Sequence, residues 1–163
     1  MHLRIVSKPF SLSGKKIIFI NNEELYYAKT DCIAGQSGIK LVNKKEDIIL
    51  SLIIREFKLQ QDSYTIRFLN LENIPIHFAR SEQWKHNYEG YYQDNAYGIE
   101  KNSSGNYFIT ENGNTIGSWI KPLKFYLGEE DNFKISDSIK NLHLVISLCL
   151  IIHQKECDSR GPD

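Results

Sequence analysis

The run Leu142–Ile152, LHLVISLCLII, has only two polar side chains among its eleven residues, His143 and Ser147, so the rest of the chain has to supply an apolar enclosure for it. A membrane-spanning helix needs about 20 mostly apolar residues. This run covers only about 16 Å at roughly 1.5 Å per residue. Lys140 and Asn141 bound it on one side, and His153, Gln154 and Lys155 on the other. It is expected to be a core element, not a transmembrane span.

Periodicity does not separate helix from strand in a run that is apolar on every side, so the flanks decide. Ser136 and Asp137 suit a helix N-cap, and Asp137 also suits the positive end of the helix dipole. Lys155 falls in the expected last turn, and Gly161-Pro162 ends any continuation. No glycine or proline interrupts 137–156. A helix over about 137–156 is expected, and a helix hydrophobic all round must be surrounded on all sides.

Everything before residue 135 reads as strands and turns. KKIIFINN and EELYYAKT meet at Asn21-Asn22, and IKLVNKKEDIILSLIIREFKL divides at the polar turn Asn43–Asp47. SYTIRFLNL alternates, IPIHFA follows, and YGIEKNSSGNYFITENGNTIGSWIKP breaks into three strands at Asn102–Gly105 and Asn112-Gly113. Asn-Gly between apolar runs is a strong hairpin signal, because both central residues of a type I′ turn need positive φ. KFYLG reads as a further strand, Ser81–Asn95 as the longest loop, and Glu129–Asp131 as a solvated acidic turn rather than a calcium loop. About nine to twelve strands followed by one apolar helix is the expected order. Strands curved around that helix would bury it and remove most sheet edges together.

Two segments, DSIKNLHLVISLCLIIHQK and GNYFITENGNTIGSWIKP with its Thr115-Ile116-Gly117-Ser118-Trp119-Ile120 strand, give the chain a family resemblance. Over roughly Ser13 to Glu156 it resembles the tubby-like group: tubby C-terminal domains, phospholipid scramblases, the plant LURP-one-related proteins and small bacterial relatives. The resemblance implies a twelve-stranded antiparallel barrel closed around a hydrophobic C-terminal helix. It also implies lipid contact as a candidate activity. The basic pair through which tubby domains bind phosphoinositides has no match here, and the acidic segment EEDN lies upstream of the helix.

Composition narrows the function. A chain of 163 residues reads as a single domain over 1–156 with a polar, disordered tail at 157–163. Twenty basic and twenty acidic side chains cancel, which argues against a nucleic-acid partner. Three cysteines, Cys32, Cys149 and Cys157, form no disulfide framework, and the N-terminus lacks the apolar core of a signal peptide. A cytoplasmic location is expected.

No nucleophile elbow, phosphate-binding loop, zinc-protease helix or paired-cysteine motif is present in the sequence. An enzyme would have to assemble its groups by folding. Cys149, His153 and Cys157 fall on one helical row, but three ligands spread over two turns, about 12 Å, cannot all reach one ion. No metal and no cofactor are expected. His143 reads as a core histidine.

The stretch His77–Gly98 is the candidate partner surface, because it sets Trp84, His86, Tyr88, Tyr91, Tyr92 and Tyr97 among charged residues. Tyr and Trp are enriched where proteins meet, since they join apolar area to a hydrogen-bonding tip. The expectation is a non-catalytic binding protein with a protein partner, of which a toxin-blocking immunity protein is one version. A phospholipid head group is the alternative ligand, and an unrecognised enzyme the second alternative.

Overall fold

Leu3 and Ile5 near the N-terminus, and Ile18 and Ile20 after the first turn, are all buried, and the two-residue strand period points them to one side. The same period recurs through the chain. The computed structural model describes residues 1–7, 14–33, 36–58, 61–69, 74–81, 87–121 and 130–160. Its strands are β1 (His2–Ser7), β2 (Lys16–Ile20), β3 (Glu23–Ile33), β4 (Gln36–Asn43), β5 (Ile48–Lys58) and β6 (Gln61–Phe68). They continue with β7 (Ile76–Arg80), β8 (Tyr88–Tyr92), β9 (Asn95–Lys101), β10 (Tyr107–Glu111), β11 (Asn114–Trp119) and β12 (Glu130–Ile135). The helix α1 (Leu142–Arg160) follows.

Every strand pairs antiparallel with its neighbours in sequence, and β1 pairs with β12, Leu3 opposite Phe133, to close a twelve-stranded barrel. Closure satisfies every edge. A barrel of eight strands is filled by its own side chains, and a wider one holds a space. Here α1 occupies it. The helix meets β1 through His153, β3 through His143, β5 through Ser147, β6 through Lys155, β9 through Glu156 and β12 through His153 again. Residues 144–153 are all buried. Among the described residues no helix is long and apolar enough to cross a membrane.

Several expectations about boundaries are corrected. The helix begins at Leu142 instead of 137, and Asp137 does not cap it but pairs with the N-terminal ammonium of Met1 at 2.6 Å. It also runs on to Arg160, so Cys157–Arg160 extend the helix and are not a disordered tail. The acidic Glu129–Asp131 segment is not a surface turn: Glu130 opens β12 and Asp131 is buried. The Ser81–Asn95 stretch is not all loop, since it contains β8. KFYLG, Glu129, Trp84 and His86 lie outside the described residues.

The two ends of the barrel differ. Where α1 begins, four of the five strand joins are tight turns, at 21–22, 44–47, 93–94 and 112–113, with positive φ at Asn21, Asn22, Asp47, Gln93, Asp94, Asn112 and Gly113. Where α1 finishes, strands are joined across the two longest sequence intervals between them, 8–15 and 120–129. Many of the inward side chains at this second rim are polar.

Candidate functional site

The inward face of several strands changes character as it reaches that rim. On β1 the series Leu3, Ile5 is continued by Ser7, and on β2 the series Ile20, Ile18 is continued by Lys16, its cross-strand partner. On β6 the rim residue is Asp62, on β7 Arg80, on β8 Tyr88, on β9 Lys101 and on β12 Asp131. Charged residues at strand ends are ordinarily read as solvent-facing, so Asp62, Arg80 and Lys101 did not stand out in the sequence. Carrying the two-residue period past the last apolar residue would have found them.

Asp62 gathers most of this mouth. Tyr88 donates its hydroxyl to Asp62 Oδ1 at 2.5 Å, and Tyr64 donates to Oδ2 at 3.2 Å. Arg80 reaches Oδ1 at 3.0 Å, while Lys155 from the helix donates to Oδ2 at 3.0 Å. Arg55 approaches at 3.4 Å and pairs with Asp158 as well. Burial by itself would raise the Asp62 carboxyl, but the Tyr88 hydroxyl, the Lys155 ammonium and Arg80 outweigh it and hold it well below the usual carboxylate range. Burial pushes the Lys155 ammonium down and the Tyr64 and Tyr88 phenols up. Beside this cluster Lys101 pairs with buried Glu156 at 3.0 Å.

A second group stands on the opposite arc of the same mouth. His153, fully buried on α1, lies with Nδ1 2.5 Å from Asp131 Oδ2 and Nε2 3.0 Å from Ser7 Oγ. Trp119 donates its indole N–H to the other Asp131 oxygen at 2.9 Å. Cys157, one turn beyond, places Sγ 3.7 Å from Nε2. The two nitrogens of His153 are thus directed at a hydroxyl and a carboxylate, and Cys149 is sealed in the core. Among the described residues no three His, Cys, Asp or Glu side chains are grouped to hold a metal ion.

The described residues among those proposed from sequence for a partner surface divide between two faces. Tyr88 and Tyr97 point inward and are buried, Tyr88 on Asp62 and Tyr97 with its hydroxyl donated to Glu111 at 2.5 Å. Tyr92 is half-buried, its ring 5.6 Å from that of Phe68. Tyr91 points outward and is 70% exposed.

On the same outer wall lies a groove of about 170 Å³ whose lining includes Ser81, Asn87, Glu89, Ala96, Glu100 and Thr110. Its floor is Gly98, which faces Glu89 on one side and Thr110 on the other. A Cβ at Gly98 would stand 2.6 Å from Thr110 Oγ1, so only glycine leaves this hollow with the strands as close as they are. Glu89 and Glu100 are exposed, about 7–8 Å apart as diagonal cross-strand neighbours. Among the described residues neither carboxylate has a cationic partner. Sequence reading had found the aromatic stretch but not this groove, because its makers are a glycine and two ordinary surface glutamates.

Comparison of the chain with models of known protein families, with curated proteins and with solved structures finds no match.

Proposed function

We propose that the protein is a binding protein of the tubby-like kind that engages a protein partner through the outer wall of β8–β10. The observation that carries this reading is the groove over Gly98, flanked by two glutamates without counter-charges among the described residues, with the exposed Tyr91 opposite Ala96 of its lining. Two exposed carboxylates beside an aromatic face favour a lysine or arginine side chain from the other protein, which would gain a charge-assisted hydrogen bond and a cation–π contact together. A cytoplasmic toxin-blocking protein is one version of this role. The closed barrel around a C-terminal helix supports the tubby-like assignment, which also brings the phospholipid alternative. Against the lipid reading, the rim's Arg55, Arg80, Lys101 and Lys155 are each committed to an acid of the same rim or helix.

Native mass spectrometry of the protein from its source cells, beside the Tyr91→Ala/Glu100→Lys variant, tests this. The expected result is a stoichiometric protein companion on the wild type that is lost from the variant, with the melting temperature unchanged. A companion retained by the variant, or a bound mass in the phospholipid range, overturns the reading.

A further inference from the structure

We propose that Ser7, His153 and Asp131 form a nucleophilic centre for acyl transfer at the mouth of the barrel, an activity beyond the binding role above. The roles follow from the geometry. A carboxylate only accepts hydrogen bonds, so Asp131 Oδ2 at 2.5 Å requires the proton of His153 on Nδ1. In the neutral ring Nε2 then carries the lone pair, and Ser7 Oγ at 3.0 Å donates to it. A hydroxyl on a base that is oriented by a third group is the arrangement that activates a weak nucleophile. Such a set is recognised by roles and distances, not by its order in the chain. Asp131 is itself fixed by the Trp119 indole at 2.9 Å, which holds its carboxylate in line with the imidazole.

The setting also suits the chemistry. His153 and Asp131 are sealed from solvent, whereas Ser7 is the last residue of β1, half-buried at the rim where α1 finishes. Of the three, Ser7 alone keeps some solvent exposure, and the base behind it is kept from bulk water. A structural clamp between helix and wall would be served by the His153–Asp131 pair alone. It leaves unexplained why the remaining nitrogen is aimed at the Ser7 hydroxyl at the rim.

The reaction such a set performs is hydrolysis of an ester. Ser7 Oγ attacks the carbonyl carbon as its proton passes to Nε2, and the tetrahedral adduct collapses with cleavage of the bond to the alkoxide. The departing alcohol takes the proton from Nε2 and leaves an acyl ester on Ser7. Water then attacks that ester and gives a proton to Nε2, and Ser7 Oγ recovers it as the carboxylic acid leaves. Ester plus water becomes acid plus alcohol, with no further reactant.

The test is labelling of the full chain with a fluorophosphonate, read by intact mass and peptide mapping from about pH 6 to about pH 9, where a histidine base acts. One phosphonyl group on Ser7 is expected, absent in Ser7→Ala. The rate should fall by about 10²–10⁴-fold in His153→Gln, the usual contribution of a positioned base. In Asp131→Asn the pH profile should shift as well as the rate, which a merely structural role would not produce. Both variants are compared at equal fraction folded, judged by thermal unfolding. If the folded wild type takes up no phosphonyl group, or labels on Ser7 as fast in folded His153→Gln, the proposal is wrong.

Discussion

Ser147 of α1 and Ser51 of β5 meet at 3.0 Å, both fully buried, so the most apolar stretch of the chain carries a polar contact at its centre. The two partners are not equivalent. Ser147 Oγ donates to the carbonyl of His143 at 2.8 Å, which leaves it to accept from Ser51. Ser147→Ala therefore strands the Ser51 donor in an apolar interior, at a cost of about 1–3 kcal/mol. Ser51→Ala leaves Ser147 still bonded to its own helix and should cost less. The double substitution should be no worse than Ser147→Ala, because no donor remains unmet. Urea unfolding of the three variants checks the order, and equal effects from the two single changes would refute it.

Tyr88 and Tyr91 lie three residues apart on β8 and should respond in opposite ways. Tyr91 is 70% exposed, so Tyr91→Ala should move stability by no more than about 0.5 kcal/mol. Tyr88→Phe keeps the ring but removes the hydroxyl that donates to Asp62 and accepts from Lys155 at 2.6 Å, at a cost of about 1–3 kcal/mol. Thermal unfolding separates them. A destabilised Tyr91→Ala would remove the basis for placing a partner on the outer wall.

Much of this architecture was legible because burial writes itself into long apolar runs. Leu142–Ile152 could be neither exposed nor membrane-spanning, and Asn112-Gly113 marked its hairpin with the residues that such a turn requires. The hairpin at Gln93-Asp94 was missed. Those residues take φ of 49° and 62° without a glycine, helped by Asn95 Nδ2, which donates to Gln93 O at 2.9 Å. The mouth was illegible for another reason. Whether Asp62 or Asp131 faces water or the interior depends on barrel closure and on which helix residue stands opposite, and neither is local to its strand.

Gly113 and Gly117 separate two reasons for glycine on adjoining turns of chain. Gly113 has φ 78° and nothing within 4 Å of an added Cβ, so Gly113→Ala should cost only the left-handed backbone penalty, about 1–2 kcal/mol. Gly117 needs no unusual backbone, but its added Cβ would sit 2.9 Å from Ile135 Cδ1 and 3.3 Å from Ile109 Cβ. Gly117→Val should overpack the core by about 1–3 kcal/mol or more. The rescue differs too. Ile135→Ala should recover part of the loss in Gly117→Val and nothing in Gly113→Ala, and double-mutant cycles read this directly. Additive behaviour at Gly117 would mean that its role is not steric.

Acid should unfold the protein in two stages with separate causes. Burial holds His143, whose Nε2 lies 3.5 Å from the Tyr26 hydroxyl, below the usual histidine range. The unfolded chain therefore takes up a proton near pH ~6.5 that the folded chain resists, and stability declines from there downward. Asp62 has its folded value lowered, so its contribution is complete above its unfolded value near ~3.9 and is lost as pH falls toward the folded value. Melting temperature against pH should show a first decline below about pH 6.5 that disappears in His143→Gln. A second decline below about pH 4 should flatten in Asp62→Asn, which begins about 3–5 kcal/mol less stable at neutral pH because Arg80 and Lys155 lose their buried counter-charge. If the first decline persists in His143→Gln, burial of that ring is not its cause. If Asp62→Asn unfolds in acid as steeply as the wild type, the mouth cluster is not what holds the barrel closed on its helix at low pH.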